Sequence, residues 1–280
     1  MHSIVIQGRW LTTALIERAA QLAGAARVER HGMRLARLSG LPAAPRRGPI
    51  ASLCEQARVD CAFVERPLAL ADMHLAVMDM DSTLITIECI DEIADMQGLK
   101  PEVAAITEAA MRGEIDFRES LTRRVALLRG LEVGALERVY RERLRLSPGA
   151  EQMLAGFKAA GLKTLLVSGG FTFFTDRLKA RVGIDYTASN TLGIADGRLT
   201  GVVEGPIIDA DAKAQRLRDT CALLGCATGQ AIAIGDGAND LKMMAAAGIS
   251  VAYRAKPVVR AQARYSISHN GLDALLNLFD

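Results

Sequence analysis

After residue 74 the chain alternates between short, nearly all-apolar runs and stretches whose apolar residues recur every three or four positions. Residues 75–78, 162–167 and 231–234 are such runs, and they read as buried strands. Residues 150–160, 171–182 and 212–224 carry the helical period, and 241–247, 249–253, 258–263 and 272–279 continue the alternation. Repeated strand–helix units with nearly all-apolar strands predict a parallel sheet covered on both faces. Residues 186–204 are strand-rich, and Ala-Asp-Gly-Arg at 195–198 reads as a hairpin turn.

The first part of the chain follows another plan. Residues 3–7 alternate as a strand, and 11–23 form a helical stretch ending at Gly24. Two short strands, 27–32 and 33–38, are split at His31-Gly32. A proline-rich loop (42–48), a helix (50–58) and a strand (61–65) follow. Strand-helix-strand-strand-helix-strand is the ferredoxin-like order. Residues 67–73 read as a linker. From 88 to 146 the pattern is helical throughout, with Ile90/Ile93, Val103/Ile106, Leu121/Val125/Leu128 and Leu136/Val139 in register. A helical insert directly after the first core strand lies over the carboxyl ends of the sheet, where it can act as a lid. The expected organisation is a small α+β unit (1–70), an α/β core (71–87 and 147–280) and a helical cap (88–146).

Composition narrows the function classes. Half of the 280 residues are hydrophobic and 24% are charged, an ordinary globular profile. A net charge of +2 offers no electrostatic reason to invoke nucleic acid or an anionic membrane. No apolar stretch approaches the ~20 residues of a membrane span, and no secretory leader is visible at the start. The five cysteines (Cys54, Cys61, Cys89, Cys221, Cys226) fit no C-x-x-C pattern, and a buried reduced role is expected for Cys221 and Cys226. His2, His31, His74 and His269 are too scattered for a zinc site. A reducing cytoplasm fits this usage.

Three predicted strand ends carry polar payloads: Asp79 and Asp81, Ser168 and Gly169, and Asp236, Asn239 and Asp240. Ligands of open parallel sheets bind at the carboxyl ends of the strands. Two acids two residues apart on an extended chain lean to one side and repel unless a cation or shared proton relieves them. Ser-Gly-Gly before a helix offers a hydroxyl and backbone N–H groups to an anion. Lys213 begins a helix between these strands. Each feature alone also reads as an ordinary turn, an Asx cap or a surface lysine. Together they assemble the metal acids, nucleophile, cation and oxyanion nest of a phosphoryl-transfer site.

These residues, Asp-Met-Asp-Ser-Thr at 79–83, Ser-Gly-Gly at 168–170, Lys213 and Gly-Asp-Gly-Ala-Asn-Asp at 235–240, resemble in order the four motifs of the haloacid-dehalogenase-like phosphatase superfamily. Glu88, Asp-Phe-Arg-Glu-Ser-Leu at 116–121 with Arg124, and Val-Glu-Gly at 203–205 resemble its phosphoserine phosphatase family more narrowly. The resemblance covers residues 75–280; residues 1–70 resemble ACT-like domains. It implies a Rossmann-like core and magnesium-dependent hydrolysis of O-phospho-L-serine, the last step of serine biosynthesis. By the same resemblance Asp79 is the nucleophile, and Asp81 is the acid and then the base. Asp79, the backbone carbonyl of Asp81, and Asp236 hold the metal, with Asp240 supporting it. Ser168, Gly169, Lys213 and Asn239 serve the phosphate, Glu88 and Arg124 the amino and carboxylate groups, and Met111 and Phe117 the apolar lid. Asp81 must carry a proton to act as an acid, so burial and Asp79 are expected to raise its pKa. The alternatives are a sister phosphatase for another small phosphate ester, or an amino-acid-sensing protein with an inert phosphatase fold. The sequence leaves the oligomeric state open, a homodimer included.

Overall fold

The computed structural model describes residues 3–43 and 45–279, so His2 lies outside the described residues. A four-stranded antiparallel sheet comes first: β1 (Ser3–Gln7), β2 (Arg27–His31), β3 (Leu35–Ser39) and β4 (Asp60–Val64), in the order β2-β3-β1-β4. Helices Thr13–Ala23 and Arg47–Gln56 cover one face, the first ended by Gly24 at φ 63. This is the ferredoxin-like arrangement expected for residues 1–70.

All five residues of β1 are buried, and alternation explains why. Ile4 and Ile6 pack with Ile16, Ala19 and Ile50 of the covering helices. Val5, Ala62 and Val64 point the other way, into the cluster that contains Tyr265, Ile267, Leu272 and Phe279 from the end of the chain. The first sheet is thus clamped between its own helices and the end of the α/β core. Polar contacts fix the seam. Asp60, 5% exposed, accepts from the backbone N–H groups of Ser268 (2.7 Å), His269 (3.1 Å) and Asn270 (3.0 Å), and from Asn270 Nδ2 (2.6 Å).

The core strands are β5 (Leu75–Met78), β6 (Lys163–Phe171), β7 (Tyr186–Ala195), β8 (Arg198–Glu204), β9 (Ala231–Gly235), β10 (Ile249–Tyr253) and β11 (Tyr265–Ile267). Their order is β11-β10-β9-β5-β6-β7-β8, all parallel except the β7–β8 hairpin. β5 therefore sits at the centre, between β6 and β9. Its Leu75 and Val77 pack beneath Leu217, Cys221 and Met243 on one face. Ala76 and Met78 pack beneath Met153, Phe157, Phe174 and Leu178 on the other.

The end of β6, the edge strand β11 and the exposure of Cys226 depart from the sequence reading. β6 runs on through Ser168, Gly169 and Gly170 to Phe171, with its register to β7 broken between Val167 and Phe171. The Ser-Gly-Gly segment is therefore an irregular strand end, because the helix after it starts only at Thr172. The β7–β8 hairpin closes where expected, at Asp196 and Gly197, whose φ angles of 51 and 73 give the twist that strands prefer in a two-residue turn. β8 thereby becomes an antiparallel edge. β11, a short edge strand, was not expected at all. Cys221 is buried, while Cys226 is only half-buried. Among the described residues no helix is long and apolar enough to cross a membrane.

The cap consists of Cys89–Asp95, Lys100–Met111, Phe117–Leu127, Gly134–Arg138 and Val139–Arg143, all between β5 and the helix Ala150–Ala159. The backbone of Gly130 and Leu131 pairs with Leu199 of β8 (both 2.8 Å), which ties the cap to the sheet edge.

Candidate active site

The carboxyl ends of β5, β6 and β9 open into a cavity of ≈ 690 Å³, roofed by the cap. Asp79, Asp81, Glu88, Arg124, Ser168, Gly169, Asp236 and Asn239 all line it. Lys213 lies beneath its floor.

Asp79 ends the extended run at ψ 160, and the chain then winds through a wide turn. The N–H groups of Leu84 and Ile85 donate to the carbonyls of Asp79 (3.3 Å) and Met80 (3.0 Å), with Ser82 forced to φ 55. The two acids reach the same cavity because of this turn, rather than by simple strand alternation. Asp79 Oδ1 accepts from Met80 N (2.8 Å) and lies 2.7 Å from Lys213 Nζ. Lys213 Nζ also lies 2.8 Å from Asp240 Oδ1, and both partners of Asp79 in this triad, Lys213 (1% exposed) and Asp240 (0%), are shut from solvent. Asp240 Oδ2 accepts from the N–H groups of Asp236 (3.2 Å) and Gly237 (3.0 Å), so its second oxygen shapes the loop after β9.

Burial pushes the Asp79 carboxyl well upward and Asp240 adds to the push, while Lys213 opposes both. Lys213 loses by burial but gains more from Asp240 and Asp79, so its ammonium is held charged. Asp236 is pushed up to about 6 by burial and by Asp240, with Thr83 Oγ1 donating to its Oδ1 (3.0 Å). Asp79, Asp236 and Asp240 bring carboxylate oxygens within 4.8 Å of one another. Three carboxylates share one ammonium there, and the negative excess, carried on hard oxygens, suits a divalent cation.

Asp81 turns its carboxylate away from that cluster. Oδ1 accepts from Cys89 N (2.9 Å) and Oδ2 from Ser168 Oγ (3.4 Å). Burial raises its pKa as expected, against the lowering contacts of Cys89, Lys213 and Ser168. Asp79 and Asp81 repel each other, a push that raises Asp79. Ser168 Oγ in turn accepts from Gly170 N (2.8 Å). A Cβ on Gly169 would stand 2.9 Å from Cζ of Phe117, so a side chain there would have to push that ring aside. Arg118 closes the same contact electrostatically, with Nε 2.7 Å from Asp209 Oδ2, the residue that caps the Lys213 helix.

On the cap side, Glu88 Oε1 accepts from Ser82 Oγ (2.6 Å) and Arg124 Nε donates to the Ser120 carbonyl (3.4 Å). Burial inside the cavity and the charge of Asp81 push Glu88 up to about 7. Met111 is 68% exposed at the rim, whereas Phe117 reaches inward. The sequence reading missed two charged residues of the lining, Asp91 and Lys256. Asp91 follows Glu88 by three residues, one helical turn on the same face. Lys256 follows the carboxyl end of β10, next to β9, so the strand-end rule already pointed to it.

Similarity to known proteins agrees with this geometry. The family model described as haloacid dehalogenase-like hydrolase matches residues 76–245. A phosphoserine phosphatase of Polaromonas sp. (strain JS666) is 60% identical over 216 residues, 75% of this chain and 92% of that protein. The crystal structure of a probable phosphoserine phosphatase from Vibrio cholerae superposes with a TM-score of 0.86 at 37% identity, over 99% of this chain and 86% of that one. A phosphoserine phosphatase solved as a phospho-aspartyl intermediate analogue gives 0.70 at 36% identity, over 74% of this chain and 99% of that one. The chain belongs to the phosphoserine phosphatase family of haloacid dehalogenase-like hydrolases.

Proposed function

We propose that this protein hydrolyses O-phospho-L-serine to L-serine and phosphate through an aspartyl-phosphate at Asp79. The observation that carries the reading is one cavity with opposite furnishings on its two sides. Asp79, Asp81 and Ser168 stand on the sheet side and Glu88 and Arg124 on the cap side. A substrate spanning it carries a phosphate at one end and a paired ammonium and carboxylate at the other.

Asp79 Oδ1 is engaged by Lys213 and Met80 N, which leaves Oδ2 to attack phosphorus. As the Asp79–phosphorus bond forms, the bond from phosphorus to the seryl oxygen breaks, and the Asp81 proton passes to that oxygen. Asp81, now ionised, takes a proton from the water that attacks the phosphoaspartate, and phosphate leaves. The intermediate is supported by the related phosphoserine phosphatase captured as a phospho-aspartyl analogue. Ser168 Oγ, the Gly169 segment and Asn239 orient the phosphate oxygens, and buried Lys213 offsets their charge. Asp79, Asp236 and the Asp81 carbonyl would hold magnesium, Asp240 being committed to Lys213 and two backbone N–H groups. Bound there, a divalent cation would screen the approach of the Asp79 carboxylate to the phosphate dianion. Arg124 grips the substrate carboxylate with two parallel hydrogen bonds, and Glu88 takes the ammonium. The reaction belongs in the cytoplasm.

The test is phosphate release from phosphoserine and from phenyl phosphate, in the wild-type protein and in Arg124→Lys. Lysine cannot reproduce the bidentate grip, so KM for phosphoserine rises while phenyl phosphate is barely affected. Equal losses on both substrates would assign the site to a different phosphate ester. Excess chelator abolishes turnover and magnesium restores it; activity that survives chelation would remove the metal.

A further inference from the structure

Beyond β10 the chain passes through Arg254, at φ 46, and Ala255 to Lys256, which precedes the helix Pro257–Gln262. The Lys256 N–H donates to the carbonyl of Asp236 (3.3 Å), so this connection is tied to the loop that carries Asp236. The Lys256 side chain lines the cavity next to Asn239 and Val258 and is itself exposed. Its charge is felt at Asp236, where it favours the ionised carboxyl.

The other cations of the site are already engaged. Lys213 is locked between Asp79 and Asp240 at 2.7 and 2.8 Å, with 1% of its surface exposed. Arg124 interacts electrostatically with Asp91, Glu88 and Asp81. A phosphate dianion entering from solvent meets the acidic side chains of Asp79 and Asp236. Among the described residues, no carboxylate pairs with the Lys256 ammonium at ion-pair distance. An unpaired cation on a flexible stem at the mouth of an acidic cavity is suited to meet an incoming dianion.

We propose that Lys256 is a further phosphate-binding residue, which captures the phosphate of the entering ester at the cavity mouth and holds departing inorganic phosphate on its way out. This rests on the phosphatase reading but is independent of serine as the leaving group. Lys213 serves the phosphate once seated; Lys256 serves it in transit. Loss of Lys256 therefore weakens capture of any phosphate ester and of free phosphate alike.

The experiment compares wild type, Lys256→Gln and Lys256→Arg as full-length, magnesium-loaded protein. KM and kcat are measured for phosphoserine and phenyl phosphate, with the inhibition constant of inorganic phosphate and the thermal shift it produces. Lys256→Gln raises both KM values and the phosphate inhibition constant by about three- to tenfold, the range of one solvent-accessible charge contact. Its kcat stays within about twofold of wild type, and Lys256→Arg recovers most of the loss. Inorganic phosphate raises the melting temperature of the Gln variant less than that of wild type, a readout that needs no turnover. Added salt lowers kcat/KM more steeply in wild type than in Lys256→Gln. Unchanged KM and phosphate affinity would overturn the proposal. So would a fall in kcat at constant KM, which would make Lys256 a prop for the Asp236 loop. A wild type that turns over phenyl phosphate but not phosphoserine defeats the substrate reading alone, and the phosphate measurements still decide this one.

Discussion

Replacing Lys213 by methionine isolates the electrostatics of the floor of the site. The two side chains are similar in length, so packing within the Ala210–Leu224 helix is retained and the charge alone is removed. What remains is Asp79 and Asp240, 5% and 0% exposed, formerly neutralised by one ammonium at 2.7 and 2.8 Å. Removing one partner of a buried ion pair costs about 3–5 kcal/mol, because the charges left behind are out of water and uncompensated. For a domain of this size each kcal/mol corresponds to about 2–4 °C, so the melting temperature falls by on the order of 10 °C at pH 7 without metal. The penalty is pH-dependent. Burial already raises the Asp79 carboxyl above its unfolded value, and without Lys213 it rises further. A group whose folded pKa lies above its unfolded one binds protons preferentially in the native state. The deficit is thus full above the raised folded pKa and shrinks as pH falls toward the unfolded value of about 4. Thermal melts followed by circular dichroism at pH 7 and pH 5 measure both effects. Adding Asp240→Asn removes one stranded charge and lets an amide N–H face Asp79, so the double variant regains part of the loss. A Lys213→Met protein melting within about 2 °C of wild type at pH 7, or a gap that does not narrow at pH 5, would refute this account.

Asp81→Asn loses proton transfer to the seryl oxygen and is slowed by about 10²-fold or more on phosphoserine. The deficit is smaller with aryl phosphates whose leaving groups need no proton, as parallel kcat measurements will show. With Glu88 pushed up to about 7, its carboxylate is half protonated near neutrality in the metal-free protein. The dissociation constant of phosphoserine from the metal-free protein therefore rises as pH drops through that region, while that of phenyl phosphate does not follow; identical pH profiles in titration calorimetry would clear Glu88 of ammonium binding. Asp60→Ala strands three backbone N–H groups of residues 268–270 at the seam between the first unit and the core. Urea unfolding should report a loss of about 3 kcal/mol or more, and a loss under about 1 kcal/mol would mean that the apolar seam alone holds the units together.

Much of this protein is decided locally. The apolar runs at 75–78 and 231–234 are short enough to read as buried strands, and strands buried on both faces call for helices on each side of a parallel sheet. From that follows the clustering of Asp79, Asp81, Ser168 and Asp236, since parallel strands end on the same edge. The helical periodicity of 88–146 likewise marks a cap. Tertiary structure decided the rest, because it turns on distances between segments far apart in sequence. Lys213 as a bare residue reads as surface. It lies, however, on the stripe with Ala214, Leu217, Thr220 and Cys221, the buried face of its helix, and folding drives its ammonium between Asp79 and Asp240. No local pattern says that Asp240 spends both oxygens on Lys213 and the loop. Nor does one say that Asp60 fastens the first unit to residues more than 200 positions away. Periodicity reports which face of an element is buried; only the assembled fold specifies what that face meets.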